Sequence, residues 1–222
     1  MPGRGIIAAV VAAYNEEPTI GPVVKTLVDS KQFRDVIVVS DGSTDRTADV
    51  ARANGASFVH QFAFNRGKGA AMQYGVAKTD ADIILFCDAD LKGLTTQHVR
   101  DILSPVVEGS RAMVVGLRDR GKTMTRLMRY LPLVGGERAL LRRVIDDVPD
   151  VYMQGYKVEP ALNYYCQSRK LPYGTVELAG LSIRRKMQKV GFWKGLRGYV
   201  VMSIQIIRAM IGVRLARLRG TF

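Results

Sequence analysis

Residues 83–90 read IILFCDAD, an apolar run that leads directly into two aspartates, and this stretch decides the fold. Two further apolar runs, residues 6–13 and 36–39, also end in polar segments, YNEE and SDGSTD. Runs that are apolar on both faces are typical of parallel strands covered by helices on both sides. We therefore predict a parallel sheet built on these runs, with residues 57–60 as a short additional strand.

Helical patterns lie between the predicted strands. They cover residues 18–28, with a proline in the first turn, residues 44–53 behind the cap-like Ser43, and residues 69–77. Strands that alternate with helices of this length indicate βαβ units. The predicted fold class is therefore α/β, a doubly wound, mainly parallel sheet with flanking helices.

The second half of the chain has a looser pattern. Residues 113–117 predict another strand, which is followed by short basic helical stretches, one of them opening at Gly135 and Gly136. Residues 156–168 predict a helix and residues 176–183 a strand.

Charge divides the chain into two unlike parts. Residues 1–117 contain 12 Lys and Arg against 13 Asp and Glu, whereas the rest contains 21 against 7, within a formal net charge of +13. A field of this size favours anionic partners such as phosphates, nucleic acid or acidic lipid, and charge alone does not choose among them. Because no repeat or low-complexity linker interrupts residues 1–190, we predict one domain there, with 1–117 and 118–190 as its two halves.

Residues 191–222 form the last predicted unit, a basic amphipathic helix over about residues 192–218. Its uncharged stretch between Arg197 and Arg208 is far shorter than the roughly 20 residues that span a bilayer. We therefore predict an interfacial helix on a membrane surface, with the preceding basic segment 184–189 adding attraction to anionic lipid. A C-terminal helix packed on the domain is the alternative.

Cysteine usage and the N-terminus bear on the compartment. Cys87 and Cys166 lie far apart in the chain and form no CxxC pair, so a reducing compartment is expected. The residues before the first apolar run are too few for the basic start of a signal peptide. We expect a cytoplasmic protein that is peripheral at the inner face of the cell membrane.

The DAD segment is the strongest candidate for chemistry. In doubly wound sheets the ligand lies beyond the carboxyl ends of the strands, where Asp88 and Asp90 would leave the sheet. Two carboxylates beside an incoming diphosphate suit Mg²⁺ or Mn²⁺, which share their remaining ligands with phosphate and water. A lone DxD is more often a solvated loop, and its position directly after a buried strand is what favours a metal site.

Two other polar segments border predicted strands and helices. Asp41 could accept hydrogen bonds from a base or ribose, while Ser43 and Asp45 could simply cap the next helix. The segment NRGKG, residues 65–69, offers flexible backbone and two cations before a helix, which makes it a candidate phosphate contact. It is not a P-loop, because GxxxxGK[ST] is absent.

Taken in order, the segments VVAAYNEEPTI, VIVVSDGSTDRT, NRGKGAAMQYG, IILFCDAD and VVGLRDR resemble glycosyltransferase family 2 with the GT-A fold. They are most like its polyprenol-phosphate (dolichol-phosphate) mannosyl- and glucosyltransferase branch and cover about residues 6–120. The resemblance continues more faintly through GGERALLR, GYKVE and GLSIRRKMQKVG. It implies inverting transfer of a hexose from a nucleotide sugar, of the GDP-mannose or UDP-glucose type, to a polyprenyl phosphate at a membrane surface. Residues 1–117 would then be the nucleotide-sugar-binding half and residues 118–190 the acceptor half.

The resemblance also implies roles for individual residues. The nucleotide sugar would be bound by Ala12, Tyr14, Glu16, Asp41, Lys68, Asp88 and Ala89. The metal, Mg²⁺ or Mn²⁺, would be held by Asp88 and Asp90 and would stabilise charge on the leaving nucleoside diphosphate. The catalytic residues would be Asp90, Glu159 and Arg118. The acceptor would be bound by Arg118, Arg138 and Arg185, since a guanidinium suits phosphate. Arg118 could also lie near the donor phosphates.

Some positions depart from the family pattern or leave a role open. Lys92 stands where the branch usually has a metal-side glutamine, and a cation cannot be a ligand. Ser40 and Asp41 stand where two acids are usual. Glu159 could deprotonate a hydroxyl acceptor. A phosphate acceptor is already anionic and needs no strong base, so Glu159 would then only position groups.

Rival functions stay open at this point. A soluble acceptor or a glycan hydroxyl would make the C-terminal helix unnecessary for activity. Sugar-nucleotide pyrophosphorylases would need a Gly-rich, Arg-containing loop after the first strand, which YNEEPTI is not. A basic nucleic-acid- or lipid-binding protein without catalysis is the third class. No nucleic acid partner is expected, because the basic half has no RNP-like aromatic pattern and no DNA-reading motif.

Overall fold

The computed structural model describes residues 5–118 and 135–183. The strands are β1 (Ile7–Ala13), β2 (Asp35–Ser40), β3 (Phe58–Gln61), β4 (Ile83–Asp88), β5 (Leu91–Lys92), β6 (Met113–Arg118), β7 (Arg138–Leu141), β8 (Tyr173–Leu178) and β9 (Ser182–Ile183). The α-helices are α1 (Glu17–Asp29), α2 (Thr47–Ala53), α3 (Lys68–Val76), α4 (Thr96–Val107), α5 (Arg142–Asp146) and α6 (Val158–Ser168). Two short 3₁₀ turns, Asp150–Tyr152 and Gly155–Lys157, precede α6.

The central sheet has seven strands in the order β3-β2-β1-β4-β7-β6-β8. Its first four strands are parallel neighbours, β6 and β8 are also parallel, and only β7 runs antiparallel to both of its neighbours. The chain builds outward from β1 to β2 and β3, then returns to place β4 on the other side of β1. This confirms the doubly wound, mainly parallel α/β fold and puts a topological switch point at the end of β1.

The two faces of the sheet explain why β1 is apolar throughout. Ala8 and Val10 belong to one buried cluster, whereas Ala9 and Val11 belong to the cluster on the opposite face. Both faces are covered by helices, as in other parallel sheets. On the first face Gly75 lets α3 approach closely, because a Cβ there would lie 2.4 Å from Val10 Cγ1.

The predicted helix that opens at Gly135 and Gly136 is wrong. Residues 138–141 form β7, which fills the gap between β4 and β6. Ala139 and Leu140 are fully buried there, and pairing with two strands decides the conformation over the local basic pattern. A short helix, α5, follows only after β7 ends.

Other element boundaries also differ from the sequence prediction. The single strand predicted over 176–183 is two strands, because Gly180 turns the chain at φ 77° between β8 and β9. The helix predicted over 44–53 begins only at Thr47, since the amides of Thr44 and Arg46 donate instead to side chains of the segment after β1. Helix α4 was not predicted, although its buried residues recur at helical spacing.

The C-terminal predictions lie outside the described residues. They comprise the helix over 192–218, the boundary after residue 190 and the basic segment that includes Arg185. Within the part of the chain that the structure describes, every helix is too short or too polar to cross a membrane.

Candidate active site

The register of the sheet brings the polar segments together. Ala12 of β1 lies opposite Val39 of β2 on one side and opposite Asp88 of β4 on the other. Ala13 lies opposite Ser40. The segments YNEE, SDGSTD and DAD therefore leave the sheet at one edge, beyond the carboxyl ends of parallel strands.

The first two of these segments are bonded to each other. The backbone amide of Asn15 donates to Ser43 Oγ over 3.1 Å, and the amide of Glu17 donates to Asp45 Oδ2 over 3.1 Å. Partial burial opposes ionisation of Asp45, but hydrogen bonds from Thr47 and Glu17 outweigh it and hold the pKa of that carboxyl below its ordinary value. Asp45 thus ties the loop after β1 to the start of α2.

Asp41 is buried, and its carboxylate shapes the NRGKG loop. Oδ1 accepts from the backbone amide of Arg66 over 2.6 Å, and Oδ2 accepts from the amide of Gly67 over 2.9 Å. Gly67 adopts φ 92°, a conformation that glycine tolerates best. The loop therefore leads into α3 with Lys68 as the first helical residue. A contact between Asp41 and a base or ribose stays a prediction.

Lys68 connects two carboxylates across the site. Its Nζ donates to Asp88 Oδ1 over 2.9 Å and to Glu159 Oε1 over 3.1 Å. Burial disfavours the charged ammonium, but the two carboxylates outweigh it and raise the pKa of Lys68 above its ordinary value. Sequence reasoning placed Lys68 near a diphosphate, and the structure places it beside the carboxylate of the DAD segment.

Arg118 binds the other oxygen of Asp88. Its Nη2 donates to Asp88 Oδ2, while Nε and Nη2 also donate to Glu137 Oε2 and Oε1 over 2.8 and 2.7 Å. Burial would raise the pKa of Asp88, but Lys68 and Arg118 together hold it well below the usual range. Asp88 is therefore an anion held between two cations.

Glu137 is a site residue that sequence reasoning missed. Its side chain is buried, with 2% of the residue's surface exposed, and burial together with the nearby Asp88 raises the pKa of its carboxyl. The family resemblance of the GGER segment implies a role for Arg138 and none for Glu137. Only the pairing of β6 with β7 brings Glu137 beside Arg118.

Gly136 explains the second glycine of the same segment. A Cβ at this position would lie 2.1 Å from Asp88 Oδ2, which is far inside contact distance. The chain just before β7 therefore passes directly against the carboxylate of Asp88, and only glycine leaves room for it.

The remaining predicted donor residues occupy varied positions around the edge. The ring of Tyr14 is exposed, at 49%, at the end of β1. Glu16 is buried and accepts a hydrogen bond from the Thr19 hydroxyl over 3.0 Å. Ala89 is buried and Asp90 half-buried in the turn between β4 and β5. Their contacts with a nucleotide sugar stay predictions.

Arg138 and Glu159 are both buried, and their predicted acceptor-binding and base roles stay predictions. Arg138 has no exposed surface, and its guanidinium donates to the Gly135 carbonyl and to Asn163 Oδ1 over 2.8 and 2.7 Å. Contact with an acceptor therefore requires a change of conformation. Glu159 is only 7% exposed and is bonded to Lys68, which fits a positioning role better than that of a general base.

Asp88 and Asp90 are the oxygen ligands that the site offers a divalent cation. Within residues 5–118 and 135–183 no group of three or more His, Cys, Asp and Glu side chains is arranged to hold a metal ion. Mg²⁺ commonly takes one or two carboxylates and completes its shell with phosphate and water. Asp90 is half-buried in the turn after β4, where its charge helps to raise the pKa of Arg118, and Asp88 could contribute by sharing an oxygen with one of its cations. The residues present thus fit a cation held mainly by a diphosphate.

The fold of the chain is similar to that of solved glycosyltransferase structures. Glucosyl-3-phosphoglycerate synthase from Mycobacterium tuberculosis, in complex with Mn²⁺, UDP and glucosyl-3-phosphoglycerate, matches with a TM-score of 0.76 at 26% identity, over 94% of this chain and 80% of that chain. A complex of the same synthase with Mg²⁺ and UDP matches with a TM-score of 0.77 at 25% identity, over 94% of this chain and 79% of that chain.

Sequence relatives agree on the family. The uncharacterized glycosyltransferase YaiP of Escherichia coli is 38% identical over 91 residues, which are 39% of this chain and 23% of that protein. The dolichyl-phosphate beta-glucosyltransferase ALG5D of Trichomonas vaginalis is 22% identical over 94% of this chain and 74% of its own length. The chain thus spans about a quarter of YaiP and about three quarters of ALG5D. Since residues 8–177 match the family model described as Glycosyl transferase family 2, and this match covers most of the described sheet, the chain belongs to glycosyl transferase family 2.

Proposed function

We propose that this chain is an inverting hexosyltransferase that moves a sugar from a nucleotide sugar to an acceptor carrying an anionic group. The observation that carries the proposal is Asp88, held at the switch point of the sheet between Lys68 and Arg118. Cations fixed at this point can stabilise the negative charge that develops on a leaving nucleoside diphosphate. The acceptor oxygen attacks the anomeric carbon from the side opposite that diphosphate, which inverts the configuration.

A divalent cation, Mg²⁺ or Mn²⁺, completes the proposed donor site. Asp90 would hold it, with Asp88 sharing one oxygen, and when bound it supplies Lewis-acid stabilisation of the leaving diphosphate. The similar synthase structures contain Mn²⁺ or Mg²⁺ together with UDP, which supports this assignment. Lys68 and Arg118 add fixed positive charge on either side of Asp88.

UDP-glucose is the first donor to test, with GDP-mannose as the alternative. A glucosyl donor is supported by the ALG5D relative, whose name states beta-glucosyl transfer, and a uridine nucleotide by the synthase complexes. Tyr14, exposed directly after β1, would border the base. Asp41 would contact the base or ribose after releasing one of its two backbone bonds.

The acceptor is proposed to be a polyprenyl phosphate. The burial of Glu159 and its bond to Lys68 favour an acceptor that is already anionic and needs no strong base. The relative that acts on dolichyl phosphate supports the lipid form. A soluble phosphorylated acid is the second candidate, because the similar synthase was solved with glucosyl-3-phosphoglycerate.

Action at a membrane surface follows from the lipid acceptor. We propose that residues 191–222 and the basic segment before them hold the enzyme at the cytoplasmic face of the cell membrane. The excess of Lys and Arg after residue 117 supports this, since each basic residue near an anionic surface gains about 1 kcal/mol.

The test is a donor panel on the full chain, with Mn²⁺, Mg²⁺ or neither. UDP-glucose and GDP-mannose are each combined with undecaprenyl phosphate in detergent micelles or with phosphoglyceric acid, and sugar transfer is measured. We expect metal-dependent transfer from one donor to the lipid acceptor, lost in Asp90→Asn and kept in Asp49→Asn, a matched change on exposed α2. Transfer only to phosphoglyceric acid would select the soluble acceptor. No transfer, combined with binding to vesicles or RNA, would replace catalysis with the binding-protein alternative.

A further inference from the structure

Five charged side chains alternate in sign across the floor of the site. In order they are Glu159, Lys68, Asp88, Arg118 and Glu137. Exposure falls from Lys68 onward, from 32% for its side chain to 10% for Arg118 and 3% for Glu137. Glu159, at the other end of the row, is 9% exposed. The end of the row that Glu137 forms is thus the most shielded from water, where an ion pair is strongest and least screened.

Glu137 forms a bidentate ion pair with one edge of the Arg118 guanidinium. Its two carboxylate oxygens accept from Nε and Nη2 over 2.8 and 2.7 Å, the bidentate geometry that fixes the plane of an arginine side chain. Nη2 also donates to Asp88 Oδ2, so the same guanidinium is held by carboxylates on both sides.

The support under Glu137 is part of the sheet. Its backbone carbonyl accepts from the amide of Gly116 in β6 over 2.9 Å, and β7 begins at the next residue. Arg118 is the last residue of β6, so both partners are anchored in neighbouring strands. Because the backbone at Glu137 is fixed by the sheet, its bidentate carboxylate can hold the guanidinium in one orientation.

We infer that Glu137 is a positioning residue that presents Arg118 to a phosphate group in the site, on the donor diphosphate or on the acceptor. The inference rests on the proposed function. A guanidinium oriented in advance needs no rearrangement when negative charge develops beside it. Glu137 touches neither substrate, and its whole effect on transfer passes through Arg118.

The central variant is Glu137→Gln, which keeps the size of the side chain and removes its charge. We expect kcat/KM for sugar transfer to fall by on the order of 10- to 100-fold, the loss that misplacement of a catalytic group by about an ångström causes. Glu108→Gln, at the exposed end of α4, is the matched control and should retain the wild-type value. Wild-type kinetics in Glu137→Gln would overturn the inference.

A double-mutant cycle separates positioning from a general structural role. In an Arg118→Ala background, adding Glu137→Gln should cause no further loss of transfer, because the residue it acts through is gone. The double variant should also unfold at a higher temperature than Arg118→Ala alone, which leaves a buried carboxylate without its arginine. An equal loss of activity in both backgrounds would show that Glu137 acts by another route.

Binding measurements identify which phosphate Arg118 serves. Titration calorimetry with UDP alone, in the presence of Mn²⁺, should show weaker binding to Glu137→Gln if the group is the donor diphosphate. Unchanged UDP affinity with a raised acceptor KM would assign the acceptor phosphate. If the wild type binds UDP but transfers no sugar, the proposed function fails while the inference stays testable. Unchanged affinity of Glu137→Gln for both UDP and inorganic phosphate would then overturn it.

Discussion

Asp88 binds a cation at each of its carboxylate oxygens, and this double pairing makes it the residue on whose charge the site depends most. Its neighbours Lys68 and Arg118 come from helix α3 and strand β6, which lie far apart in the chain. Their charges compensate one another only when these elements are assembled. Removing the shared carboxylate leaves two cations close together in a largely buried site.

The first prediction concerns Asp88→Asn. We expect the free energy of unfolding to fall by about 2 kcal/mol, since breaking a buried ion pair from one side leaves unpaired charge. Sugar transfer should fall by at least about a hundredfold. Urea unfolding and a transfer assay measure the two effects, with Asp49→Asn as the surface control. Unchanged stability would contradict the pairing described for Asp88.

The second prediction concerns how the stability difference between wild type and Asp88→Asn depends on pH. Burial would raise the pKa of Asp88, but Lys68 and Arg118 lower it below the ordinary value. Its stabilising contribution is therefore complete above the pKa of an unfolded aspartate, about 3.9, and is lost as pH falls through the lower folded value. The stability gap between wild type and Asp88→Asn should stay constant from neutral pH to about pH 5 and shrink below about pH 4. Unfolding curves across this range check it, and a gap that persists undiminished in acid would refute the assignment.

Strand β7 is the element that joins the two halves of the site. It lies antiparallel between β4 and β6. In the GGER segment at its start, Gly136 packs against Asp88 and Glu137 pairs with Arg118. The basic residues beside it predicted a helix, because a local sequence pattern does not show that two distant strands leave room for a third between them. The parallel strands β1, β2 and β4 were predictable, since burial on both faces leaves its mark as unbroken apolar runs.

The third prediction belongs to this element. In Gly136→Ala the added Cβ would lie 2.1 Å from Asp88 Oδ2, so either β7 or Asp88 must move. We expect transfer to fall by more than about tenfold, together with a lower melting temperature. The control is Gly109→Ala beyond α4, where nothing lies within 4 Å of the added Cβ. Its φ of 76° lowers stability, but transfer should be retained. Wild-type transfer in Gly136→Ala would show that Asp88 does not need this close packing.

At the scale of the whole molecule, charge and chemistry are separated along the chain. Residues 1–117 are nearly neutral and supply most of the predicted donor site, whereas the later part carries the excess of Lys and Arg. The described part of this later half contributes Arg118, Glu137 and Glu159 to the floor of the site. The basic residues from Arg184 onward lie outside the described part of the chain, and they are the ones that the proposed membrane attachment uses.

The fourth prediction tests that attachment with Arg184→Glu, Lys186→Glu and Lys189→Glu combined. Binding to vesicles containing anionic lipid should weaken by roughly a hundredfold or more, while hydrolysis of the donor sugar is kept. The weakening should be smaller at high salt, because screening already reduces the attraction of the wild type. The matched control reverses Lys31, Lys78 and Lys170, which are exposed elsewhere on the domain. Equal vesicle binding by both triple variants would contradict a local basic anchor.

The sequence by itself determined the parallel core of the sheet, its flanking helices apart from α4, the carboxyl-end segments and the family. These follow from periodicity, burial and the order of short motifs, all of which are local properties of the chain. Only the tertiary structure decided that Asp88 is shared by Lys68 and Arg118, that Glu159 is paired, that Arg138 is buried and that Glu137 belongs to the site. The physical reason is that an ion pair depends on distance in space, and these partners are 19 to 91 residues apart in the chain, brought together by strand pairing that no local pattern encodes.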